Sequence, residues 1–324
     1  MNKISSKKKL ILLVALAVGL ALALALVEPW NKVASVPKGI AEPTGKVELT
    51  DEIEPQTKVA ERDRSVAAHP SHVTPQELSR ILAQKPHSRD FELAERKIVS
   101  AVVPHHLVAA PLLLEACALL AEQEPKRLVV IGPNHQNKAA KIITGTYGWQ
   151  TPDGILAADE AAVTHLWQKG LAAINEEVLA AEHSIGALVP LLKRFLPEVQ
   201  IVPIILQHGV SLQEVDQLLD ALEPYLDSDT VLISSVDFSH YLTRSEAEAN
   251  DRITLAYMRN FAYSALFALD DSYLDSPASL AVAFRLAERR GILAFTVLAN
   301  TNSGIILQND HLETTSYFTI LFTK

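Results

Sequence analysis

The sequence of 324 residues contains a single cysteine, Cys117. One thiol cannot form an intramolecular disulfide, a Cys-x-x-Cys redox pair or a zinc site built on several cysteines. Cys117 lies within a segment of helical composition, so we interpret it as a small buried residue. The scarcity of cysteine therefore excludes a disulfide scaffold, a thioredoxin-like enzyme and a zinc-ribbon domain.

Basic residues are also in the minority. The chain has 29 lysines and arginines against 38 aspartates and glutamates, a formal net charge of −9 at pH 7. Proteins that bind nucleic acid through bulk electrostatics carry an excess of basic residues that releases counterions from the phosphates. The acidic balance therefore argues against a nucleic-acid partner.

The N-terminus has the pattern of a membrane leader. Four lysines and no acidic residue occur in residues 1–9, and an uninterrupted apolar run covers residues 10–27. A helix of that run would be about 27 Å long, near the lower limit for spanning a bilayer. We therefore predict that residues 1–27 are a signal anchor or a cleaved signal peptide. The rest of the chain would then lie outside the cytoplasm, membrane-anchored through this helix or secreted.

Residues 28–89 are predicted to form a stalk between this leader and the body of the protein. Prolines and charged residues are frequent there, and apolar periodicity is weak, which is typical of a tether. His69 and His72 are interpreted as solvated residues of this linker. Thr74 and Glu77 have the spacing of a capping box, which predicts a short helix over residues 74–84.

Residues 90–324 alternate between predicted strands and helices. Apolar strands separated by helices predict a single three-layer α/β domain with a mainly parallel sheet covered on both faces. The predicted strands cover 97–103, 127–132, two segments within 140–150, 200–207, 230–236, 292–301 and 315–323. The predicted helices cover 109–123, 158–173, 184–196, 211–226, 245–260 and 276–291.

Side chains that bind metal ions follow three of these strands directly. They are His105 and His106 after 97–103, His135 after 127–132, and Asp237 and His240 after 230–236. Because ligands of open α/β sheets bind at the carboxyl ends of the strands, we expect these side chains to meet at one edge. Glu182 and His183 begin another predicted helix and are expected to lean over the same edge. Imidazole and carboxylate groups around open positions suit iron(II), zinc or copper, so the sequence predicts a metal site.

Other common catalytic motifs are missing. The turn Gly132-Pro133-Asn134-His135 matches neither the dinucleotide fingerprint nor the phosphate-binding loop. The sequence has no Gly-x-Ser-x-Gly elbow, and Ser184 beside His183 is a poor nucleophile and base pair because adjacent helical side chains diverge. Nucleotide binding and serine hydrolysis are therefore disfavoured.

Five short motifs together resemble the Memo-like family, whose bacterial and archaeal members are often called AmmeMemoRadiSam system protein B. They are PHH at 104–106, IGPNH at 131–135, EHSIGALVP at 182–190, QIVPIIL at 200–206 and VDFSHY at 236–241. The resemblance covers roughly residues 97–323 and implies an α/β sheet with a non-haem metal pocket at its edge, similar to class III extradiol ring-cleaving dioxygenases. It implies that His105 and His135 are metal ligands. By the same resemblance His183, Asp237 and His240 are further residues of the pocket.

The chain departs from the family pattern at three places. The first motif continues as PHHLVAAP instead of the glycine-containing PHAGYxYSG, and Gly186 replaces the second acid of EHSxE. A cysteine that completes the metal set in some members has no counterpart, and Asp275 stands in the corresponding region. With His105 and His135 it would form a two-His-one-carboxylate set suited to iron(II). Asp237 is the competing carboxylate ligand, and Asp275 is alternatively a helix cap.

These features predict a divalent metal ion, with iron preferred over copper or zinc. The first functional hypothesis is a dioxygenase-like oxidoreductase acting on a small molecule. His183 and His240 would be its acid/base residues, and Asp237 would orient one of them. The second hypothesis is a non-catalytic module that binds a small ligand or a peptide in the same pocket, and the third is a zinc hydrolase.

Overall fold

The computed structural model describes residues 67–86 and 91–324. The predicted leader at 1–27 and most of the predicted stalk lie outside these residues. Among the described helices, none has both the length and the hydropathy that crossing a membrane would require.

Two sheets organise the described part of the chain. Their strands are β1 (Ala68–His69), β2 (Ile98–Val103), β3 (Arg127–Pro133), β4 (Ile142–Thr144), β5 (Gly148–Thr151), β6 (Gly154–Leu156), β7 (Ala173–Ile174), β8 (Gln200–Leu206), β9 (Thr230–Ser235), β10 (Thr296–Asn302) and β11 (Ser316–Thr323). The larger sheet has eight strands in the order β10-β11-β2-β9-β3-β8-β4-β7, and the smaller sheet has the order β1-β5-β6.

The centre of the larger sheet is parallel, and its margins are mixed. The pairs β2-β9, β9-β3, β3-β8 and β4-β7 are parallel. The pairs β10-β11, β11-β2 and β8-β4 are antiparallel. The prediction of an α/β domain is confirmed, but the sheet is mixed overall. Residues 128–131 of β3 are fully buried, as expected for a strand covered on both faces.

Helices cover both faces of the larger sheet. They are α1 (Pro75–Leu82), α2 (Ala110–Gln123), α3 (Glu160–Gln168), α4 (Glu176–Ala181), α5 (His183–Gly186), α6 (Val189–Phe195), α7 (Leu212–Leu222), α8 (Arg244–Arg259), α9 (Tyr263–Leu266), α10 (Pro277–Arg289) and α11 (Ser303–Leu307). Side chains of α2 and α6 share one apolar core with the sheet, and side chains of α3, α7 and α10 share the other. The layers therefore leave the ends of the strands free to carry the site.

Local signals set the ends of several helices. The predicted helix at 184–196 is two helices, α5 and α6, and Pro190 lies in the first turn of the second, where its missing N–H is tolerated. Gly291 follows α10 with a φ of +75°, as predicted for a residue just past a helix end. The last antiparallel hairpin begins at Thr296 and not at residue 292.

The start of the described chain packs on the domain by strand pairing. β1 lies parallel to β5, with His69 opposite Trp149. The His69 side chain is buried, and its Nε2 lies 3.1 Å from Oε2 of Glu176. The prediction that His69 is a solvated linker residue is therefore wrong, because pairing with β5 draws the segment into the body.

Helix α1 fixes the same segment from its other end. Its capping box is formed as predicted, since the Thr74 side chain accepts a hydrogen bond from the backbone of Glu77 and the Glu77 carboxylate accepts one from Thr74. Leu78 and Ile81 are buried on its inner face. This part of the predicted stalk thus packs against the domain and contributes Leu78 and Ile81 to the hydrophobic core.

Candidate metal centre

His105 follows strand β2 and is almost fully buried. Its backbone N–H donates to Oδ1 of Asp237 over 3.1 Å, and its Nδ1 lies 3.0 Å from Oγ of Ser235. The Ser235 hydroxyl donates its only hydrogen to the carbonyl oxygen of Ser184, over 2.6 Å. Ser235 must therefore accept from His105, which places the ring proton on Nδ1 and leaves a lone pair on Nε2.

The free Nε2 atom of His105 faces two carboxyl groups. It lies 3.3 Å from Oδ2 of Asp275 and 3.6 Å from Oδ2 of Asp237. Burial, together with the neighbouring imidazoles of His135 and His183, holds the pKa of His105 well below its ordinary value. The ring is consequently neutral at pH 7, which is the form that binds a metal ion.

His135 follows strand β3 and is oriented by Glu182. Its backbone N–H donates to Oε2 of Glu182 over 2.9 Å, and its Nδ1 lies 2.8 Å from Oε1 of the same carboxylate. Because an ionised carboxylate can only accept, Nδ1 of His135 carries the hydrogen and Nε2 keeps a lone pair. That Nε2 atom lies 3.9 Å from Oδ2 of Asp275. The Glu182 carboxylate thus holds the proton of His135 on Nδ1, as the Ser235 hydroxyl does for His105.

Glu182 is held in its ionised form. Burial alone would raise its pKa, but hydrogen bonds from the His135 ring and from the backbone N–H groups of His135 and Ser184 outweigh that effect and lower the pKa to about 2. The charged Glu182 carboxylate is buried behind His135 and holds the imidazole of that residue toward the cleft. Sequence reasoning placed Glu182 at this edge without giving it this role.

His183 completes a cluster of three imidazoles. Its ring stacks on that of His135, with centroids 4.2 Å apart and planes at 23°, and meets the ring of His105 edge-on at 5.2 Å. One ring nitrogen from each histidine lies within 4.8 Å of the others, close enough to hold one metal ion. The side chain of His183 is 55% exposed, so it is the member of the cluster most open to the cleft.

Asp237 and Asp275 form a buried carboxyl pair beside these rings. The backbone N–H of Asp237 donates to Oδ2 of Asp275, and the N–H of Asp275 donates to the carbonyl oxygen of Asp237, both over 3.1 Å. Burial raises the pKa of both carboxyls, and the charge of Asp237 raises that of Asp275 further. Oδ1 of Asp275 is buried without a hydrogen-bond partner among the described residues. A cation at this position would stabilise the pair, so the donor set fits a divalent metal.

Asp275 does not cap helix α10. Ser276 is the N-cap, and its hydroxyl oxygen accepts the N–H of Ser279 over 3.1 Å. The alternative that Asp275 is a capping residue is therefore wrong, and its carboxyl is free to face His105 and His135.

His240 lies at the edge of the same cleft. Its backbone nitrogen and its Nδ1 are each 3.2 Å from the carbonyl oxygen of Asp271. Asp271 was not identified from the sequence as part of the site. Burial lowers the pKa of His240. The carbonyl oxygen of Asp271 thus makes the orienting contact of this ring, while Asp237 bonds to the backbone of His105.

The cleft that these residues share has a volume of about 1190 Å³. Seven histidines line it: His72, His105, His106, His135, His183, His208 and His240. The sequence prediction missed His72 and His208. The second could have been found by the rule that located the others, because His208 comes two residues after strand β8. His106 turns aside from the three-histidine cluster, with its Nδ1 2.7 Å from the Tyr317 hydroxyl.

His72 reaches the cleft from the N-terminal segment, so its interpretation as a solvated linker residue is wrong. Its Nε2 donates to the carbonyl oxygen of Ala180 over 2.8 Å. An ideal Cβ at Gly186 would lie 2.5 Å from the His72 ring, so the ring occupies the room that a side chain there would need. The His72 imidazole thus lies against Gly186, the residue that replaces the second acid of the family motif.

Comparisons with known proteins agree with this architecture. A family model described as Memo-like protein matches residues 62–320. A MEMO1 family protein of Caldivirga maquilingensis is 27% identical over 244 residues, which cover 70% of this chain and 84% of the relative. A MEMO1 family protein of Methanopyrus kandleri is 32% identical over 159 residues, or 47% of this chain and 56% of the relative. One of Methanothermobacter thermautotrophicus is 29% identical over 164 residues, or 48% and 59%. In the last two cases the chain spans little more than half of the relative's length.

Proposed function

Because this chain belongs to the Memo-like family, and because its three clustered imidazoles face a cleft, we propose that it binds one divalent metal ion there. One observation carries the proposal. Hydrogen bonds from outside the cleft fix both His105 and His135 with the proton on Nδ1, which leaves two Nε2 lone pairs near Oδ2 of Asp275. Such preset tautomers are a common property of metal-ligating histidines.

We propose His105, His135 and Asp275 as the ligands and iron(II) as the metal, with copper or zinc as the alternatives. The unpartnered Oδ1 of Asp275 supports its part in this set. Each carboxyl already accepts a backbone N–H, so hydrogen bonding does not separate them. Asp275 is the more suitable ligand because its Oδ2 lies within 4 Å of Nε2 of both His105 and His135, whereas Asp237 comes that close to His105 but not to His135. His183 is the remaining candidate ligand, since it belongs to the same cluster.

The reaction we propose is a dioxygenase-like oxidation of a small hydroxylated molecule. When bound, the metal would polarise an oxygen of the substrate and activate dioxygen. Burial lowers the pKa of His183 and of His240, so both rings are neutral at pH 7 and each can accept a proton from a substrate hydroxyl. His183 is exposed enough to reach such a group directly.

The location of the protein is part of the proposal. The lysine-flanked apolar run at residues 1–27 supports a body that is outside the cytoplasm, anchored in the membrane or secreted. The cleft would then meet small molecules or peptides of that compartment.

Metal content is the first test. The full chain is purified without an affinity-metal column and its metal is measured by elemental analysis, and we expect about one ion per chain. The double variant His105→Ala/His135→Ala should lose that ion, whereas His165→Ala/His311→Ala, which removes two histidines that do not line the cleft, should keep it. Full metal content in the first variant would show that the site is misplaced.

The identity of the reaction is the second test. Oxygen consumption is followed with a panel of catechols, and iron together with oxygen uptake supports the oxidoreductase. Zinc together with cleavage of esters or amides would support a zinc hydrolase instead. His183→Ala separates two roles for that histidine. If His183 is an acid/base residue, the variant should lose turnover but keep the metal. If His183 is a ligand, the variant should lose the metal as well.

The size of the cleft favours a second candidate function. Its volume of about 1190 Å³ exceeds the roughly 300–1,000 Å³ of most small-molecule sites, which suits an extended ligand such as a peptide. A protein that binds peptides in calorimetry and consumes no oxygen with any catechol would support this non-catalytic module. Retention of peptide binding after the metal is removed would separate the two functions further.

A further inference from the structure

Tyr241 has an unusual backbone conformation at the mouth of the cleft. Its φ is +56°, in the left-handed region that bulky L-residues seldom adopt. Its side chain is among those that line the cleft, yet the residue is 76% exposed. A large aromatic ring is therefore exposed to solvent on the wall of the cleft that contains the candidate metal centre.

The backbone on both sides of Tyr241 is fixed. The N–H of His240 donates to the carbonyl oxygen of Asp271 over 3.2 Å, and the N–H of Thr314 donates to the carbonyl oxygen of Leu242 over 2.8 Å. These bonds tie the two neighbours of Tyr241 to separate segments of the cleft wall. The left-handed conformation is thus imposed by the surrounding structure, which is how functional sites commonly retain such residues.

The ring of Tyr241 has a large uncovered surface. Its contact with the His240 ring is a tilted one, with centroids 5.8 Å apart and planes at 43°. Packing another ring against the free surface would release ordered water and add the favourable electrostatics of offset aromatic pairs. Because the backbone that carries the ring is anchored on both sides, a ligand that stacks on Tyr241 would not have to order a flexible loop first.

We propose that Tyr241 stacks against the ring of an aromatic substrate and so selects aromatic over aliphatic diols. This inference rests on the proposed function, since it assigns the substrate class of that same cleft. Tyr241 is in this view a specificity-determining residue, and the proton transfers assigned to His183 and His240 do not depend on it.

The test compares two ligands on the metal-loaded full chain by calorimetry. The probes are 4-nitrocatechol and cyclohexane-1,2-diol, which share a vicinal diol. Because they differ in the nitro group and in hydroxyl acidity as well as in the ring, each variant is compared with the wild type for one probe at a time. Tyr241→Ala should weaken 4-nitrocatechol by about 2- to 12-fold, the range that aromatic pairing commonly contributes. It should change the aliphatic diol by less than twofold, and Tyr241→Phe, which keeps the ring, should bind both as the wild type does.

Two further variants protect the test from indirect effects. Tyr241→Gly suits the left-handed backbone and lacks the ring, so it should bind 4-nitrocatechol as weakly as the alanine variant does. Tyr147→Ala removes another exposed tyrosine, one that does not line the cleft, and should leave both affinities unchanged. If the wild type binds 4-nitrocatechol and the Ala and Gly variants bind it equally well, the role of Tyr241 is refuted while the proposed function stands. If the wild type itself binds no catechol, both fail together.

Discussion

Substitution of Glu182 by glutamine should weaken both the fold and the metal site. The carboxylate accepts three hydrogen bonds, from the ring and the backbone of His135 and from the backbone of Ser184. A glutamine has the same shape but carries an N–H₂ group in place of one oxygen, so at least one of these donors would meet another donor. An amide nitrogen at the Oε2 position would oppose the backbone N–H of His135, whereas one at the Oε1 position would oppose both the His135 ring and the N–H of Ser184. Either orientation weakens the support of His135, and the second favours a shift of the ring proton to Nε2, which removes the lone pair from the cleft.

The effect on stability follows from the pKa of Glu182. The structure lowers it from 4.5 to about 2, and 2.5 pH units at about 1.36 kcal/mol each amount to about 3 kcal/mol of folding free energy at pH 7. Because the pKa is depressed in the folded state, this stabilisation is complete above pH 4.5 and is lost as the pH falls toward 2. Roughly 60% of it should be gone at pH 3.

Urea unfolding of the chelator-treated protein between pH 7 and pH 3 measures this contribution. We expect Glu182→Gln to be less stable than the wild type by about 3 kcal/mol at pH 7 and by much less at pH 3. Other titrating groups are present in both proteins, so their contributions largely cancel in the difference. Glu177→Gln is the matched control, since Glu177 is an exposed glutamate five residues earlier, and this variant should be as stable as the wild type at pH 7.

Metal affinity gives the second reading of the same variant. Removal of a residue that orients a ligating histidine commonly costs about 10- to 100-fold in affinity, and a competition titration against a chromophoric chelator would detect a loss of that size. If Glu182→Gln keeps both the affinity and the acid dependence of the wild type, the role assigned to the Glu182 carboxylate in supporting His135 is wrong.

Three further substitutions or measurements test other parts of the structure. Gly186→Ala should destabilise the protein by about 1–3 kcal/mol in urea unfolding because its Cβ would overlap the His72 ring, and a His72→Ala background should remove that cost. Asp275→Asn should stabilise the metal-free protein at pH 7, since burial and Asp237 raise the pKa of this carboxyl, and the gain should vanish below pH 3.8; equal stability of the two proteins at pH 7 would contradict the argument. Burial raises the pKa of Cys117 to about 12, so a disulfide reagent at pH 8 should label it at the rate of unfolding, and rapid labelling of the native protein would show that the thiol is accessible.

The central strands and the histidines that follow them could be predicted from the sequence because both depend on local patterns. Buried apolar runs marked β3, β8 and β9, and the rule that sites form at the carboxyl ends of strands brought His105 and His135 together. The antiparallel pairs β10-β11, β11-β2 and β8-β4 were not predicted, since strand direction depends on the tertiary connection. The role of His183 as ligand or as acid/base residue stays a prediction.

The position of the His72 ring could not be predicted, because its contacts are with residues far away in the sequence. Its own surroundings are polar and rich in proline, which is typical of a linker, and nothing local shows that Gly186 leaves room for an imidazole. The capping box of Thr74 was visible, but it predicts a helix and not the surface on which that helix packs. The packing of residues 67–86 on the domain thus depends on complementary shape between distant segments, which cannot be read from the composition of the segment itself.

The arrangement of protons and charges at the candidate site favours the binding of a cation. The hydrogens on Nδ1 of His105 and of His135 point away from the cleft, toward Ser235 and Glu182, so the imidazoles present lone pairs inward. The carboxyl pair adds oxygen atoms whose ionisation is opposed by burial. No lysine or arginine occurs among the described residues that line the cleft, so no fixed positive side chain offsets these groups. Ionising two buried carboxyl groups side by side is unfavourable without a cation, and a divalent ion bound between the carboxyls and the imidazoles would offset that cost.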